Sequence, residues 1–249
     1  MTKTNRTRLA ALIVVLALSA ACWAQKAPVT DAIAKAYGLD SFNQVEQIRY
    51  TWTADAFHLS RSWLWNTKTG QVSYESKDKE GKPVKLTYNR SQLDREPAMV
   101  KSEIDPAFIN DQYWVLFPFH LVWDTSAKVE DTGEHKLPLG KGSARRIVVT
   151  YPSEGGYTPG DTWELFVGPD NRIKVWSWHR ASAPKATGTW AWEDHKKAGP
   201  LLIALDHHGV LFSPPTAGAK PFPSPKPTRI VFSDVAVKLV GSNDWIKPQ

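Results

Sequence analysis

The chain has 249 residues, 42% of them hydrophobic and 22% charged, a mixture typical of globular rather than disordered or fibrous proteins. A single cysteine excludes a disulfide framework and a cysteine-based zinc site within one chain. The formal net charge is +6, but lysine and arginine form no long run. The sequence therefore predicts no nucleic-acid partner.

Residues 1–24 have the order of a secretory signal peptide. The basic residues Lys3, Arg6 and Arg8 precede an apolar run from Leu9 to Leu18, which is shorter than the roughly 20 residues of a membrane-spanning helix. We therefore expect a periplasmic or secreted protein whose body is residues 25–249. Removal of the signal peptide would leave 28 basic and 25 acidic residues, a net charge of +3.

The cleavage site has two readings, which differ in what happens to Cys22. Cleavage after Ala24 gives a soluble protein, whereas cleavage before Cys22 gives an outer-membrane lipoprotein with an acylated cysteine. We favour the soluble product because Ser19, rather than a leucine, stands three residues before Cys22.

A short helix and an antiparallel meander are predicted for the first part of the body. Thr30 or Asp31 can cap the helix, and Gly38 suits the position after its end. Apolar and polar residues then alternate in 47–53 and 57–65, which is typical of strands. Because short turns separate them, residues 47–90 are predicted to form four antiparallel strands.

An apolar insertion follows the meander. Asp105-Pro106 predicts the start of a helix that extends to about Phe117, where Pro118 interrupts it. Residues 108–123 are apolar on all sides, so this segment should pack on the sheet face that carries the meander tryptophans. The predicted ligand-binding residues are Trp52, Trp63, Trp65, Phe108, Trp114, Phe117 and Trp123.

The rest of the chain predicts a second group of strands in the same domain. Segments 146–151, 162–167, 172–180 and 187–192 are rich in β-branched and aromatic residues. Residues 213–228 contain six prolines and are predicted to form an extended surface loop. A final strand over 229–239 is expected at the edge of the sheet.

The order of these elements resembles a known group of proteins. A helix, a meander with Ser62-Trp63-Leu64-Trp65-Asn66, an apolar insertion, and the strand–turn–strand unit from Trp163 to Ile173 follow one another. Over most of residues 28–205 this resembles periplasmic lipoprotein carriers and outer-membrane lipoprotein-sorting proteins, and a secreted bacterial group with that layout. The resemblance implies a mainly β (α+β) fold, in which a curved antiparallel sheet forms an incomplete barrel with helices covering its concave face.

The resemblance also implies an apolar cavity between sheet and helices that can hold acyl chains. We therefore expect a non-enzymatic envelope protein, without a cofactor, that binds or carries an apolar ligand such as an acyl chain or a lipoprotein. Transient contact with a membrane is a further expectation. The residues themselves leave open whether the aromatic side chains line a cavity or fill a solid core.

Two other functions are compatible with the sequence. An extracytoplasmic hydrolase would use Asp206-His207-His208, or a carboxylate pair from Asp161, Glu164, Glu193 and Asp194. The sugar would then stack on Trp163, Trp176, Trp178, Trp190 and Trp192. A non-catalytic interaction protein of the envelope would have a solid core. The simpler interpretation is a solvated turn at 206–208 and cross-strand packing of the tryptophans, with His120 and His179 as structural residues. Arg49 and Arg61 either bind an anionic head group or form surface ion pairs.

Overall fold

The computed structural model of the protein describes residues 28–181, 185–214 and 220–249. The predicted signal peptide, with Cys22, lies outside the described residues, and so do residues 215–219 of the proline-rich segment. Within the described part of the chain, no helix is long and apolar enough to cross a membrane.

Residues 28–181, 185–214 and 220–249 contain two α-helices and thirteen strands. Helix α1 is Pro28–Ala36 and helix α2 is Asp105–Trp123. The first strands are β1 (Val45–Ala54), β2 (Leu59–Asn66), β3 (Gln71–Lys77), β4 (Pro83–Asn89), β5 (Lys128–Lys136), β6 (Ser143–Thr150) and β7 (Thr162–Val167). The remaining strands are β8 (Ile173–His179), β9 (Gly188–Ala191), β10 (Glu193–Ala198), β11 (Leu201–Leu211), β12 (Lys226–Leu239) and β13 (Trp245–Ile246).

All strands belong to one antiparallel sheet. Its order is β4-β3-β2-β1-β12-β11-β9-β8-β7-β6-β5, with β10 paired to β11 and β13 paired to β12. Strands β4 and β5 are the two ends of this path and do not pair with each other, so the sheet is not closed into a barrel. This open sheet confirms the predicted incomplete barrel, and the four-stranded meander is confirmed as β1–β4.

The position of β12 corrects one expectation. The last long strand was placed by its sequence at an edge, but it lies in the middle of the sheet, between β1 and β11. It also begins at Lys226, inside the segment predicted as a loop. Strand periodicity describes which side chains share a face, and it carries no information about which distant strand supplies the hydrogen bonds. The first and last parts of the sheet are thereby joined through β12.

Helix α2 packs against the sheet as predicted, but it does not end at Pro118. The proline lies inside the helix, which continues to Trp123. Proline has no N–H to donate to the preceding turn. Nearly every side chain of α2 is buried, so tertiary packing holds the helix together at this position.

Aromatic contacts fix where α2 lies. Phe108 packs on Trp63 of β2 with ring centroids 5.3 Å apart, as expected for the meander face. On its other side, Trp114 lies 4.8 Å from Trp176 of β8, and Phe117 lies 5.7 Å from Trp163 of β7. The helix therefore bridges the two halves of the sheet, and most of its aromatic side chains belong to one continuous core.

Gly38, after α1, has the left-handed backbone expected there, with φ of 107°. A Cβ atom at this position would lie 2.3 Å from the carbonyl oxygen of Pro200. Glycine is thus required both by the turn and by the close approach of the chain before β11, where Leu202 N donates to Tyr37 O.

Candidate functional site

A cavity of 480 Å³ lies between α2 and strands β7 and β8. We call it the tryptophan cavity, because its walls carry Trp114 of α2 and three tryptophans of the sheet. It is lined by Pro106, Ile109, Asn110, Tyr113, Trp114, Tyr157, Thr158, Pro159, Asp161, Trp163, Trp176, Trp178, Arg180 and Ala181. Its volume and mostly apolar lining are those of a small-molecule site.

Asp161 organises one wall of the tryptophan cavity. Its carboxylate accepts hydrogen bonds from Trp178 Nε1 at 2.8 Å and from the backbone N–H of Ala181 at 3.0 Å. Burial raises the pKa of Asp161, although these bonds and the nearby Arg180 oppose the rise. The carboxylate therefore fixes the Trp178 ring and the chain after β8 against the cavity.

A second cavity of 380 Å³ lies along the same helix. We call it the histidine cavity, after His120. It has aromatic side chains and polar side chains in its walls, and its lining residues are Phe42, Trp65, Arg90, Ile109, Gln112, Tyr113, His120, Trp123, Asp124 and Tyr157. Ile109, Tyr113 and Tyr157 line both cavities, so the two are neighbours.

A buried hydrogen-bond network orients His120. Its Nδ1 lies 3.1 Å from Asp124 Oδ2, and its Nε2 lies 3.1 Å from Gln112 Oε1. The hydroxyls of Tyr151 and Tyr113 also donate to Asp124, at 2.6 and 3.2 Å. Burial by itself would raise the pKa of Asp124, but the hydrogen bonds from His120 and the two tyrosines outweigh it and hold the pKa below its ordinary value.

A second network lies where the cavities meet. Asp105, fully buried, accepts hydrogen bonds from Arg90 Nε at 2.6 Å and from the Tyr88 hydroxyl at 2.8 Å. The Tyr157 hydroxyl also donates to Asp105, and Arg90 donates to Tyr157 at 3.1 Å. The loop 151–161, between β6 and β7, is thereby attached to the first turn of α2.

The structure divides the predicted ligand-binding residues into two groups. Trp114 lines the tryptophan cavity, and Trp65 and Trp123 line the histidine cavity. The other four, Trp52, Trp63, Phe108 and Phe117, are core residues with exposed fractions of 4, 2, 0 and 0%. Most cavity residues, among them Ile109, Gln112, Tyr113 and Tyr157, are absent from the predicted set.

Some of the missing residues carry a recognisable signal. The hydrolase alternative groups five tryptophans. Trp163, Trp176 and Trp178 line the tryptophan cavity, whereas Trp190 and Trp192 do not. Ile109 and Tyr113 lie one helical turn apart, which puts them on one face of α2. Nothing local marks Tyr157, because its position depends on how the loop 151–161 folds back.

The residues proposed for a hydrolase have separate partners. Asp206 pairs with Arg229, with Nε 2.8 Å away, and His208 pairs with Glu193 at 2.9 Å. His207 is fully buried among aromatic rings, so the predicted solvated turn at 206–208 is wrong: these residues belong to β11. Glu164 pairs with Arg146 and lies near His179, and Asp194 lies 3.5 Å from Lys196. Among the described residues, no three His, Cys, Asp or Glu side chains converge to hold a metal ion.

Neither arginine considered for head-group binding lines the two cavities. Arg61 Nε donates to the fully buried Asp111 at 2.8 Å, and its guanidinium lies 4.4 Å from the Trp52 ring centroid. Arg49 lies over the ring of Trp245 at 4.6 Å. Arg61 therefore forms a buried ion pair rather than the surface pair that was the simpler expectation.

Comparison with known proteins returns similar structures only. No protein-family model matches the chain, and no curated protein does. Among solved structures, the chain is similar to a DUF1329 family protein from Desulfovibrio piger ATCC 29098, with 9% identity and a TM-score of 0.44, over 87% of this chain and 94% of that one. It is also similar to a LolA superfamily protein from Nitrosomonas europaea, with 9% identity and a TM-score of 0.38, over 84% of this chain and 93% of that one. These likenesses concern the fold, and what this chain binds depends on its own side chains.

Proposed function

We propose that the protein is a non-enzymatic binding protein of the cell envelope that carries an apolar ligand such as an acyl chain. The observation that carries this proposal is the 480 Å³ cavity between α2 and the sheet, with Ile109, Trp114, Trp163 and Trp176 among its lining residues. An apolar chain in this cavity would be removed from water, and each buried methylene would contribute about 0.8 kcal/mol. A location in the envelope follows from the signal peptide predicted for residues 1–24.

The polar groups around the cavity support binding rather than reaction. The carboxylate of Asp161 already accepts two hydrogen bonds, from an indole and from a backbone N–H. It therefore holds the wall in place, and general-base chemistry would require it to give up these donors. A lipoprotein as the cargo, and transient membrane contact during its transfer, are the finer forms of the same proposal.

The proposal is tested in two steps with the chain of residues 25–249. Native mass spectrometry of protein purified from its host, followed by solvent extraction, should detect a bound apolar molecule. The delipidated protein should then bind 1-decanol in titration calorimetry and change its tryptophan fluorescence, because four tryptophans line the tryptophan cavity. Absence of any extracted molecule, together with no heat and no fluorescence change, would overturn the proposal.

A further inference from the structure

We propose that the ligand is an amphiphile whose neutral head is a ring bearing several hydroxyls, and that this head occupies the histidine cavity while the apolar body occupies the tryptophan cavity. This inference rests on the proposed function and names the class of ligand.

The first support is the adjacency of the two cavities. Ile109, Tyr113 and Tyr157 line both of them. Ile109 and Tyr113 are 4 and 7% exposed, whereas Tyr157 is 40% exposed and therefore forms the outer side of the junction. One molecule that crosses this junction can place an apolar part on the tryptophans and a polar part beside His120.

The second support is an unsatisfied amide in the histidine cavity. Gln112 is 2% exposed, and one of its amide atoms pairs with His120 Nε2 at 3.1 Å. The other amide atom, Nε2, is buried and has no hydrogen-bond partner among the described residues. A buried polar group without a partner costs about 1–3 kcal/mol. Gln112 lines the cavity, and a small rotation of its side chain would bring the amide within reach of a ligand hydroxyl. A hydroxyl can both donate and accept, so it would then complete the amide in either of its two orientations.

The third support is the charge balance of the histidine cavity. The cation in its wall, Arg90, is paired with Asp105 at 2.6 Å. The anion in its wall, Asp124, accepts hydrogen bonds from His120, Tyr113 and Tyr151. Because each charge has partners within the protein, a charged head group would enter without a counter-charge and lose its hydration. A neutral polar head avoids this cost.

The fourth support is the aromatic wall formed by Phe42, Trp65 and Trp123. The Phe42 and Trp123 rings have centroids 4.9 Å apart, and those of Trp65 and Trp123 are 6.5 Å apart. This apolar wall shares the cavity with the polar side chains of Gln112 and His120. A ligand ring with C–H groups on its face and hydroxyls at its rim can pack on the aromatic wall and hydrogen-bond to the polar side chains at the same time.

The test compares four ligands that share a decyl chain and differ in their heads. The delipidated chain of residues 25–249 is titrated calorimetrically with n-decyl β-D-glucopyranoside, 1-decanol, sodium decanoate and decyltrimethylammonium bromide, all below their critical micelle concentrations. We expect the glucoside to bind most tightly. The Gln112→Leu variant should weaken glucoside binding roughly fivefold, the value of one hydrogen bond. It should weaken 1-decanol binding less, because 1-decanol has no ring that packs on the aromatic wall and holds a hydroxyl beside Gln112.

A matched variant and a second cavity variant complete the experiment. Gln71→Leu, at an exposed position on β3, should leave all four affinities unchanged. Trp123→Leu removes part of the aromatic wall and should weaken the glucoside more than 1-decanol, so the test remains decisive if Gln112→Leu does not fold.

Four results would overturn the inference. If the glucoside binds no tighter than 1-decanol, or if Gln112→Leu weakens both equally, the head-group assignment is wrong while the proposed function stands. If decanoate or decyltrimethylammonium binds most tightly, the head is charged rather than neutral. If no decyl compound binds, the proposed function fails together with the inference.

Discussion

The hydroxyl of Tyr157 donates a hydrogen bond to the carboxylate of Asp105. Tyr157 belongs to the loop between β6 and β7 and is 40% exposed, whereas Asp105 is the fully buried first residue of α2. Since Tyr157 lines both cavities, this bond joins a surface loop to the central helix at the junction between them. We therefore expect this contact to affect how easily a ligand enters or leaves.

Removing the hydroxyl of Tyr157 should loosen the junction between the two cavities. Tyr157→Phe removes the hydrogen bond, while Asp105 keeps the bonds from Arg90 and Tyr88. We expect the free energy of unfolding to fall by about 1 kcal/mol and 1-decanol to dissociate several-fold faster, as measured by denaturant titration and stopped-flow fluorescence. Tyr74→Phe, on β3 outside both cavities, is the control and should leave the dissociation rate unchanged. An unchanged rate in Tyr157→Phe would show that the loop does not control access.

A bulky side chain at the rim should block the tryptophan cavity. Asn110 is an exposed residue of α2 that lines this cavity, so Asn110→Trp places an indole at the rim. It also removes the hydrogen bond from Asn110 Nδ2 to the buried Asp111, so circular dichroism must first show that the variant is folded. We expect at least a tenfold loss of 1-decanol affinity in calorimetry, because a blocked cavity loses several buried methylenes. Glu103→Trp, exposed about two turns earlier in the chain and outside both cavities, should bind like the unmodified protein. Equal affinities in all three proteins would place the ligand elsewhere.

The buried His207 should make the fold sensitive to mild acid. Burial lowers the pKa of its imidazole to about 3, because the ring lies between Trp192 at 4.8 Å and Trp114 at 5.6 Å. The charge of Asp206 opposes this fall and that of His195 adds to it. In the unfolded chain the imidazole binds a proton as the pH falls through its ordinary value of 6.5. The unfolded state therefore binds more protons between pH 6.5 and pH 3, and stability decreases as the pH falls, by about 1 kcal/mol for each pH unit.

The measurement is urea unfolding at pH 7, 6 and 5. The unmodified protein should lose stability between pH 6 and pH 5, and His207→Leu should lose less over that interval because its unfolded chain lacks the imidazole that takes up a proton there. His208→Leu replaces the exposed neighbouring histidine and is the matched control for the loss of an imidazole. If the free energy of unfolding depends on pH equally in His207→Leu and in the unmodified protein, His207 is not the cause of the acid sensitivity.

Removing only Asp111 from its ion pair with Arg61 should destabilise the protein more than removing both residues. Asp111 is fully buried, and burial raises its pKa despite the opposing effect of Arg61. Asp111→Leu leaves the guanidinium without its partner and should reduce the free energy of unfolding by about 3 kcal/mol. The double variant Arg61→Leu/Asp111→Leu removes both charges and should be more stable than Asp111→Leu. A double variant that is less stable than either single variant would contradict this account.

The strands and turns of the meander could be predicted because their signals are local. Alternation of Ile48, Tyr50 and Trp52 with polar residues identifies β1, and the turn at 66–70 fixes how β2 and β3 pair. The resemblance of the element order to that of periplasmic lipoprotein carriers also predicted the open antiparallel sheet. The same local rules fail at Pro118, since burial of α2 on all sides compensates for the missing hydrogen bond.

The candidate site was predicted only in part. Of two neighbouring tryptophans in the predicted set, one lines a cavity and the other lies in the core. Trp63 and Trp65 are two positions apart on β2, yet Trp63 is a core residue 2% exposed and Trp65 lines the histidine cavity. Periodicity assigns both side chains to the same face of the strand. Whether the space in front of that face is filled depends on the distant segment that packs there.

By itself, the amino-acid sequence determined the antiparallel meander, the apolar central helix and its packing on the meander, because these follow from side-chain periodicity and turn chemistry within short segments. Only the tertiary structure decided that β12 lies between β1 and β11, and that Gln112, His120 and Tyr157 share one cavity. Those relationships join residues far apart in the chain, and a cavity exists only where the packing of several such segments leaves space.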